Sequence, residues 1–388
     1  MSVAIIPMTQ RYGWNSEAKG AIASAFNVGH CITNLVGGYL AATHSPTLIL
    51  SAGVVVWSIF TAATPIAAAT RSLPVLLLTR GIMGLGEGVA FPTMQALVKG
   101  WVPSDRRSRS LSLIYSGHQI GSILSLLASP LIIASTSVNA MFMMYGALGF
   151  VWLSAWHPLV SSSPPLTGAA ASKALPPIKL RDLPWRSFAQ SKAFWALVVA
   201  HSMFGIGYNL AIAWLPTYYN QEYGLDLQQS SMLSVLPWAV MAFSSNASGW
   251  TADALINRKV MSTTRARKLL QSIGTLGPGL CMAYLALIPA SGNLREAVTL
   301  LTLTLGFQGF QAGGFASNHQ DISTRYAPVL FGVTNACASI SGSIFVYVVG
   351  VLLDQSYSWS LIFMAVAVAN FGSAALYLAW GTSEVQFE

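Results

Sequence analysis

Charge is what this sequence has least of. Asp, Glu, Lys and Arg make up 8% of its 388 residues, against about a quarter in an ordinary soluble domain, which excludes the soluble globular class. Cysteine is nearly absent too. Cys31, Cys281 and Cys337 stand far apart in apolar segments, with no CxxC or metal-ligand spacing, so they read as small core residues rather than a disulfide framework or a zinc site. No GxxxxGK run followed by Ser or Thr is present, which removes ATP-driven pumping within the chain. No Ser, Cys or metal constellation supports an enzyme, and no secretory or transit-peptide pattern is read at the start.

What is there is apolar. Hydrophobic residues make up 54% of the chain, and runs of about 18 or more recur, as in transmembrane helices. The expected class is an all-α polytopic membrane protein. Membrane segments are expected at 19–41, 47–69, 73–97, 109–135, 137–159, 193–219, 227–252, 267–289, 297–318, 328–352 and 358–380, after a short apolar stub, "MSVAIIPM". Between the fifth and sixth lies 160–191, with prolines at 164, 165, 176, 177 and 184, which reads as a surface linker. It divides the chain into 1–159, 160–191 and 192–388.

The net charge of +8 does not point to nucleic acid. Most basic residues fall in three clusters between apolar runs: Arg106, Arg107 and Arg109; Lys173 to Lys192; and Arg258 to Lys268. All three occupy alternate loops, the pattern of cytosolic (or stromal) loops. Two termini on the basic side would need an even helix count. Eleven segments plus a stub therefore suggest that most of a first helix is absent.

Two charges sit inside the membrane stretch "RGIMGLGEGVAFP", residues 80–92. Arg80 and Glu87 are seven residues apart, close to two turns, and share one helix face. A charge there persists only beside a polar cavity or a partner. Arg80 could bind an anion and Glu87 titrate or hold a cation, or each could pair with another helix and lock the bundle. Gly81, Gly84, Gly86 and Gly88 allow close helix packing or backbone access by a ligand, and Pro92 is expected to kink the helix.

A second polar concentration, residues 313–335, holds Asn318, His319, Gln320, Asp321 and Arg325. It reads either as a gate or ion-site network or as a loop with a cap at Asp321. His319 suits a proton relay or a hydrogen-bonded structural role. Ser24, Asn27 and His30, spaced by three, read as polar glue between helices. Tyr115, Ser116, His118 and Gln119 form a weaker candidate group, as does His201. Tyr208 and Asn209 are candidate substrate contacts, followed by the aromatic stretch "WLPTYYN".

Taken together, these stretches resemble the anion:cation symporter family of the major facilitator superfamily. "RGIMGLGEGVAFP", "KGWVPSDRRSRS" and "SNHQDISTRYAPVLFGVTN" are similar to that family's motifs. "LPTYYNQEYGLDLQQSSMLSVLPW" and "RKLLQSIGTLGPG" look most like its plant plastid branch of phosphate transporters. Vesicular glutamate transporters and the lysosomal sialic-acid transporter are other members. The resemblance implies the major facilitator fold, two six-helix bundles that rock about a central site, here with helix 1 largely missing. It gives Arg80 the substrate-anion role and Glu87 the coupling role, and it makes Gly84, Gly88, Pro92, Asn318, Asp321, Arg325, Asp253 and Arg258 gating or structural positions.

Departures from the family narrow the expectation. The histidine and arginine of glutamate-carrying members fall at Ala23 and near Phe204, which points away from glutamate. The Asp-Arg of the first-half loop falls at Ala42 and Thr43, while the second half keeps Asp253 and Arg258. The expected function is secondary transport of inorganic phosphate coupled to Na⁺ or H⁺ in a plastid membrane, by a monomer, with no cofactor and no nucleic-acid partner. Two alternatives remain: an organic anion such as ascorbate or another carboxylate, and a non-transporting sensor or inactive truncated product.

Overall fold

The computed structural model describes residues 3–14, 16–103, 106–160, 183–288, 293–355 and 357–387. Where lipid surrounds the chain, each backbone N–H and C=O must pair within its own segment, and apolar runs do so as helices. The helices are α1 (Ile5–Tyr12), α2 (Ser16–Thr43), α3 (Pro46–Ala69), α4 (Leu73–Glu87), α5 (Ala90–Trp101), α6 (Arg107–Ser135), α7 (Val138–Leu159), α8 (Trp185–Gln190), α9 (Lys192–Tyr223), α10 (Leu227–Asn257), α11 (Thr263–Leu287), α12 (Leu294–Gly309), α13 (Phe315–Ile322), α14 (Ala327–Asp354) and α15 (Trp359–Trp380). No strand occurs among the described residues.

Among the described residues, eight helical segments, with Leu73–Trp101 counted as one, are long and apolar enough to cross a membrane. The remaining expected segments coincide with α2, α10 and the α12–α13 pair. In α10, Ser and Asn residues lower the hydropathy without breaking the helix.

Local chemistry sets the helix ends. Asp226 accepts from the Gln229 N–H at 2.8 Å while the Gln229 side chain accepts from the Asp226 N–H, a reciprocal cap that starts α10. Ser137 and Ser191 cap α7 and α9. Proline opens α3 and α4, where a missing N–H costs no intrahelical bond. Gly224 ends α9 at φ 65, a left-handed position that a side chain would strain.

The chain gathers into two compact units. One holds Met1–Pro103, Ser129–Trp185 and Arg325–Ile340; the other holds Ser104–Ala128, Arg186–Thr324 and Ser341–Glu388. In the first unit α4 packs against α2 and α3, and α3 against α7. The apolar stub leads into α1; Ala4, just before it, and Met8 within it are buried with Ile22, Leu76, Met141 and Phe142. In the second unit α15 packs on α9 and α11, and α12 on α10 and α11, around Tyr218, Tyr219, Trp359 and Phe363. Of the expected linker, residues 161–182 lie outside the described residues. Its end folds as α8, whose buried Phe188 meets Phe194 and Phe387 at 6.0 and 4.8 Å.

Two membrane segments are broken. One breaks at Gly88–Val89, between α4 and α5; the other breaks at 310–314, between α12 and α13. Each is followed by two further long helices before its half of the sequence ends. Interrupted segments in corresponding positions of two halves are the feature by which transporter folds mark a ligand region.

Candidate functional site

Arg80 lies midway along α4 and is 5% exposed. Its Nη1 points at the Met83 sulfur at 2.8 Å, its guanidinium carbon lies 5.3 Å from the centre of the Phe26 ring, and its Nε has no partner. Glu87, at the last turn of α4, is half-buried and forms no ion pair with Arg80 within 4.0 Å. A cation at this depth costs at least about 2.5–3.5 kcal/mol. A ring face returns about 0.5–2 kcal/mol, and a thioether is a weak acceptor. The protein groups around Arg80 thus leave a guanidinium suited to a carboxylate or phosphate oxygen.

Small residues set this geometry. A Cβ on Gly84 would strike the Phe26 carbonyl, and one on Gly88 would strike Thr33 Oγ1 and the His30 carbonyl, so both glycines let α2 lie directly against α4. The chain breaks just after Gly88. Pro92 has no N–H to bond to the Gly88 carbonyl, and its ring would crowd that oxygen in a continuous helix. The hydrogen-bond ladder is therefore interrupted there, while Gly88 and Val89 keep right-handed helical angles, φ −64 ψ −18 and φ −76 ψ −16.

The first unit holds a second polar group that sequence reading found only in part. Asn335 Nδ2 on α14 donates to Asn34 Oδ1 on α2 at 2.7 Å, and His30 Nδ1 lies 3.0 Å from Asn34 Nδ2 and 3.1 Å from Ser339 Oγ. Asn34 is fully buried. His30 was an expected member of this glue. Asn34 lies one turn further along the same face, and only its partner on a distant helix reveals it. The Ser24 side chain lies outside the described residues. Arg325 is half-buried, with its guanidinium 5.5 Å from the Tyr326 ring centre and Nε without a partner.

In the second unit, Tyr208 stacks on Phe204 at 5.7 Å, meets the Trp238 edge at 4.9 Å and faces the His118 ring at 5.5 Å. Asn209 donates to the Gly205 carbonyl of its own helix at 2.8 Å. His319 is fully buried, 3.3 Å from the Ala316 carbonyl, with its ring 6.1 Å from that of His201. Asp253 accepts from the Arg109 backbone N–H and pairs with its Nε, both at 3.2 Å, while the Arg109 guanidinium covers Trp250 at 4.5 Å. Arg258 is the exposed C-cap of α10.

The 313–335 stretch is not a loop at Asn318 to Asp321. These residues form α13, and Asp321 caps no helix start. It takes a two-point ion pair from Arg267, at 2.7 Å from Nε and 3.3 Å from Nη2, while Arg267 Nη1 donates to the Gly313 carbonyl at 2.9 Å. Asn318 Nδ2 donates to Tyr377 Oη at 2.9 Å and to the Thr382 carbonyl at 3.0 Å. The break before α13 is held by side chains: Gln271 Oε1 accepts from the Phe315 N–H at 3.1 Å, Ser248 Oγ from the Gly313 N–H at 3.1 Å, and Gln311 Nε2 donates to the Gly274 carbonyl at 2.7 Å. Sequence reading missed Gln271, Gln311 and Ser248. Nothing in the spacing of Ser248 and Gln271 marks them, because the N–H groups they satisfy are freed only by the break, whereas Gln311 takes the Gly274 carbonyl that Pro278, with no N–H, leaves open on α11.

Among the described residues no cluster of three or more His, Cys, Asp or Glu side chains is placed to hold a metal ion.

The sequence pattern of the Major Facilitator Superfamily matches residues 1–346. Among curated proteins, the chain is 38% identical over 396 residues to a rice protein described as probable anion transporter 4, chloroplastic, covering 100% of this chain and 66% of that protein. It is 39% identical to an Arabidopsis thaliana sodium-dependent phosphate transport protein 1, chloroplastic, covering 94% and 71%. It is 38% identical to an Arabidopsis thaliana ascorbate transporter, chloroplastic, covering 96% and 70%. The chain thus spans about two thirds of the length of these relatives. A solved proton:xylose symporter superposes with a TM-score of 0.80 at 13% identity, covering 99% of this chain and 94% of that one. A fucose:proton symporter from E. coli superposes at 0.71 and 16%, covering 98% and 96%.

Proposed function

Because the chain belongs to the Major Facilitator Superfamily, a family of membrane transporters and not of enzymes, we propose that it carries a small anion, inorganic phosphate first, across a plastid membrane. The observation that carries this reading is Arg80, a guanidinium 5% exposed inside a membrane segment, with Nε unpartnered and, among the described residues, no carboxylate within ion-pair distance. Phosphate presents oxygens that match the guanidinium fork, and Arg keeps its charge through the cycle. Support for the substrate class and compartment comes from the chloroplastic anion and phosphate transporters that the chain resembles.

Transport is by alternating access, driven by Na⁺ or H⁺. Glu87, on the same helix as Arg80 and unpaired with it, is the group whose occupancy changes during the cycle. When the anion leaves, an ionised Glu87 offsets part of the Arg80 charge; when the anion is present, a proton or Na⁺ on Glu87 lowers the net charge that must move. Tyr208 and Asn209 are proposed as substrate contacts of the second unit. An organic anion is the second reading, favoured by the ascorbate transporter at an identity within one percentage point of the phosphate transporter.

The test is uptake into proteoliposomes of labelled phosphate, ascorbate and glutamate, each with and without a Na⁺ or pH gradient. Phosphate uptake that depends on one gradient and is lost in Arg80→Ala at equal protein load supports the reading. Uptake unchanged in Arg80→Ala removes Arg80 from the site, and ascorbate uptake without phosphate uptake moves the substrate to the organic class.

A further inference from the structure

Helix α2 and the first half of α14 lie along one another in antiparallel register within the first unit. Gly38 and Gly332 bring the two backbones together: a Cβ on Gly332 would lie 3.2 Å from the Gly38 Cα, and one on Gly38 would lie 2.6 Å from the Pro328 carbonyl oxygen. Further along come the Asn34–Asn335 bond at 2.7 Å and the His30–Ser339 contact at 3.1 Å. Cys31 and Cys337 fall between those two contacts, one on each helix. The Cys31 thiol points across the seam to the Ala336 carbonyl at 3.8 Å, and that carbonyl is bonded to the Cys337 nitrogen. Both cysteines are half-buried and neither is in a disulfide. The sequence separation that made these cysteines look unrelated is thus closed by the fold, while Cys281 is buried on α11 in the other unit.

We propose that Cys31 and Cys337 form a modification site for a peroxide-class oxidant, which joins them in a disulfide that ties α2 to α14. The sulfur of one cysteine attacks the peroxide O–O bond, giving a sulfenic acid and one water. The second sulfur then attacks the sulfenic sulfur; the S–S bond forms, the S–O bond breaks and a second water leaves. Two thiols and one hydrogen peroxide thus give one disulfide and two waters. A disulfide needs Cα atoms about 4.4–6.8 Å apart, and helices in contact at paired glycines approach closer than the usual 8–10 Å between axes. A covalent bond there removes any sliding of α2 along α14. Its effect on transport rests on the reading under Proposed function, but its formation does not.

The reconstituted protein is treated with hydrogen peroxide, proteolysed without reductant and examined by mass spectrometry, alongside Cys31→Ser, Cys337→Ser and Cys281→Ser. A peptide pair joining Cys31 to Cys337, reversed by a phosphine reductant, is expected in the starting protein and in Cys281→Ser and in neither other variant. Phosphate uptake should fall at least several-fold on oxidation, recover on reduction and resist peroxide in Cys31→Ser. Both thiols remaining open to maleimide after peroxide, or oxidising singly to sulfinic acids, overturns the proposal. A bridge that forms in a protein with no uptake at all leaves this site standing and counts against the transport reading instead.

Discussion

Arg80 and Glu87 occupy one helix, two turns apart, and do not pair. The guanidinium turns instead to the Phe26 ring and the Met83 sulfur, and among the described residues the carboxylate has no partner within ion-pair distance. A buried pair between them would have committed each group to the other.

Arg80→Ala and Arg80→Lys should separate. A hydrogen bond to a charged group is worth about 1.5–3 kcal/mol, so Ala should weaken apparent phosphate affinity by about ten-fold or more. Lys keeps the charge without the planar fork and should fall between Ala and the unaltered protein. Concentration-dependent uptake in proteoliposomes gives both values.

Glu87→Gln keeps the shape and removes the titrating charge. Net uptake should lose its dependence on the driving gradient, while exchange of internal for external phosphate persists. Counterflow that falls as far as net uptake would place Glu87 in anion binding rather than coupling.

Two ion pairs of the second unit should differ in weight. The Arg267 and Asp321 side chains are 5% and 19% exposed, whereas those of Arg109 and Asp253 are 36% and 5% exposed. Removing one partner of a buried pair costs about 3–5 kcal/mol, but Asp253 also accepts from the backbone N–H of residue 109, which a change of side chain leaves in place. Asp321→Ala should therefore lower the melting temperature in detergent more than Arg109→Ala.

The Asn34–Asn335 bond offers a double-mutant cycle. Asn335→Leu leaves the fully buried Asn34 amide short of a partner, at about 1–3 kcal/mol, whereas replacing both by Leu removes the penalty. The double variant should melt above the single one. Equal melting would mean that the pair is not coupled.

Gly84→Leu should prevent α2 from seating on α4, because even a Cβ there strikes the Phe26 carbonyl. Loss of folded protein on size-exclusion chromatography is the expected result, with Gly117→Leu, where added atoms meet nothing, as the control.

The helices were legible because lipid leaves an apolar run one way to satisfy its backbone. Expected segments such as 47–69 and 358–380 coincide with α3 and α15 to within a residue or two. The break at 310–314 was not legible, since "FQAGGF" is as apolar and small as its surroundings. What opens it is the set of side chains waiting on α10 and α11: Ser248, Gln271 and, from the break itself, Gln311. Asp321 likewise read either as part of a gate or ion-site network or as a helix cap, and Arg267 as one member of a basic loop cluster. Their ion pair spans 54 residues.

By itself, the sequence determined that this chain is a multi-pass helical membrane protein and that Arg80 and Glu87 are charges set inside one of its membrane segments. Both follow from the cost of transferring polar groups out of water, which acts on each residue wherever its neighbours are. Partnership was decided only in three dimensions. That Arg80 meets no carboxylate among the described residues, that Asn34 meets Asn335, and that the Cys31 thiol reaches the Ala336 carbonyl all depend on which helix faces lie together. Hydrogen bonds and ion pairs act over about 3 Å, a range at which distance along the chain carries no information.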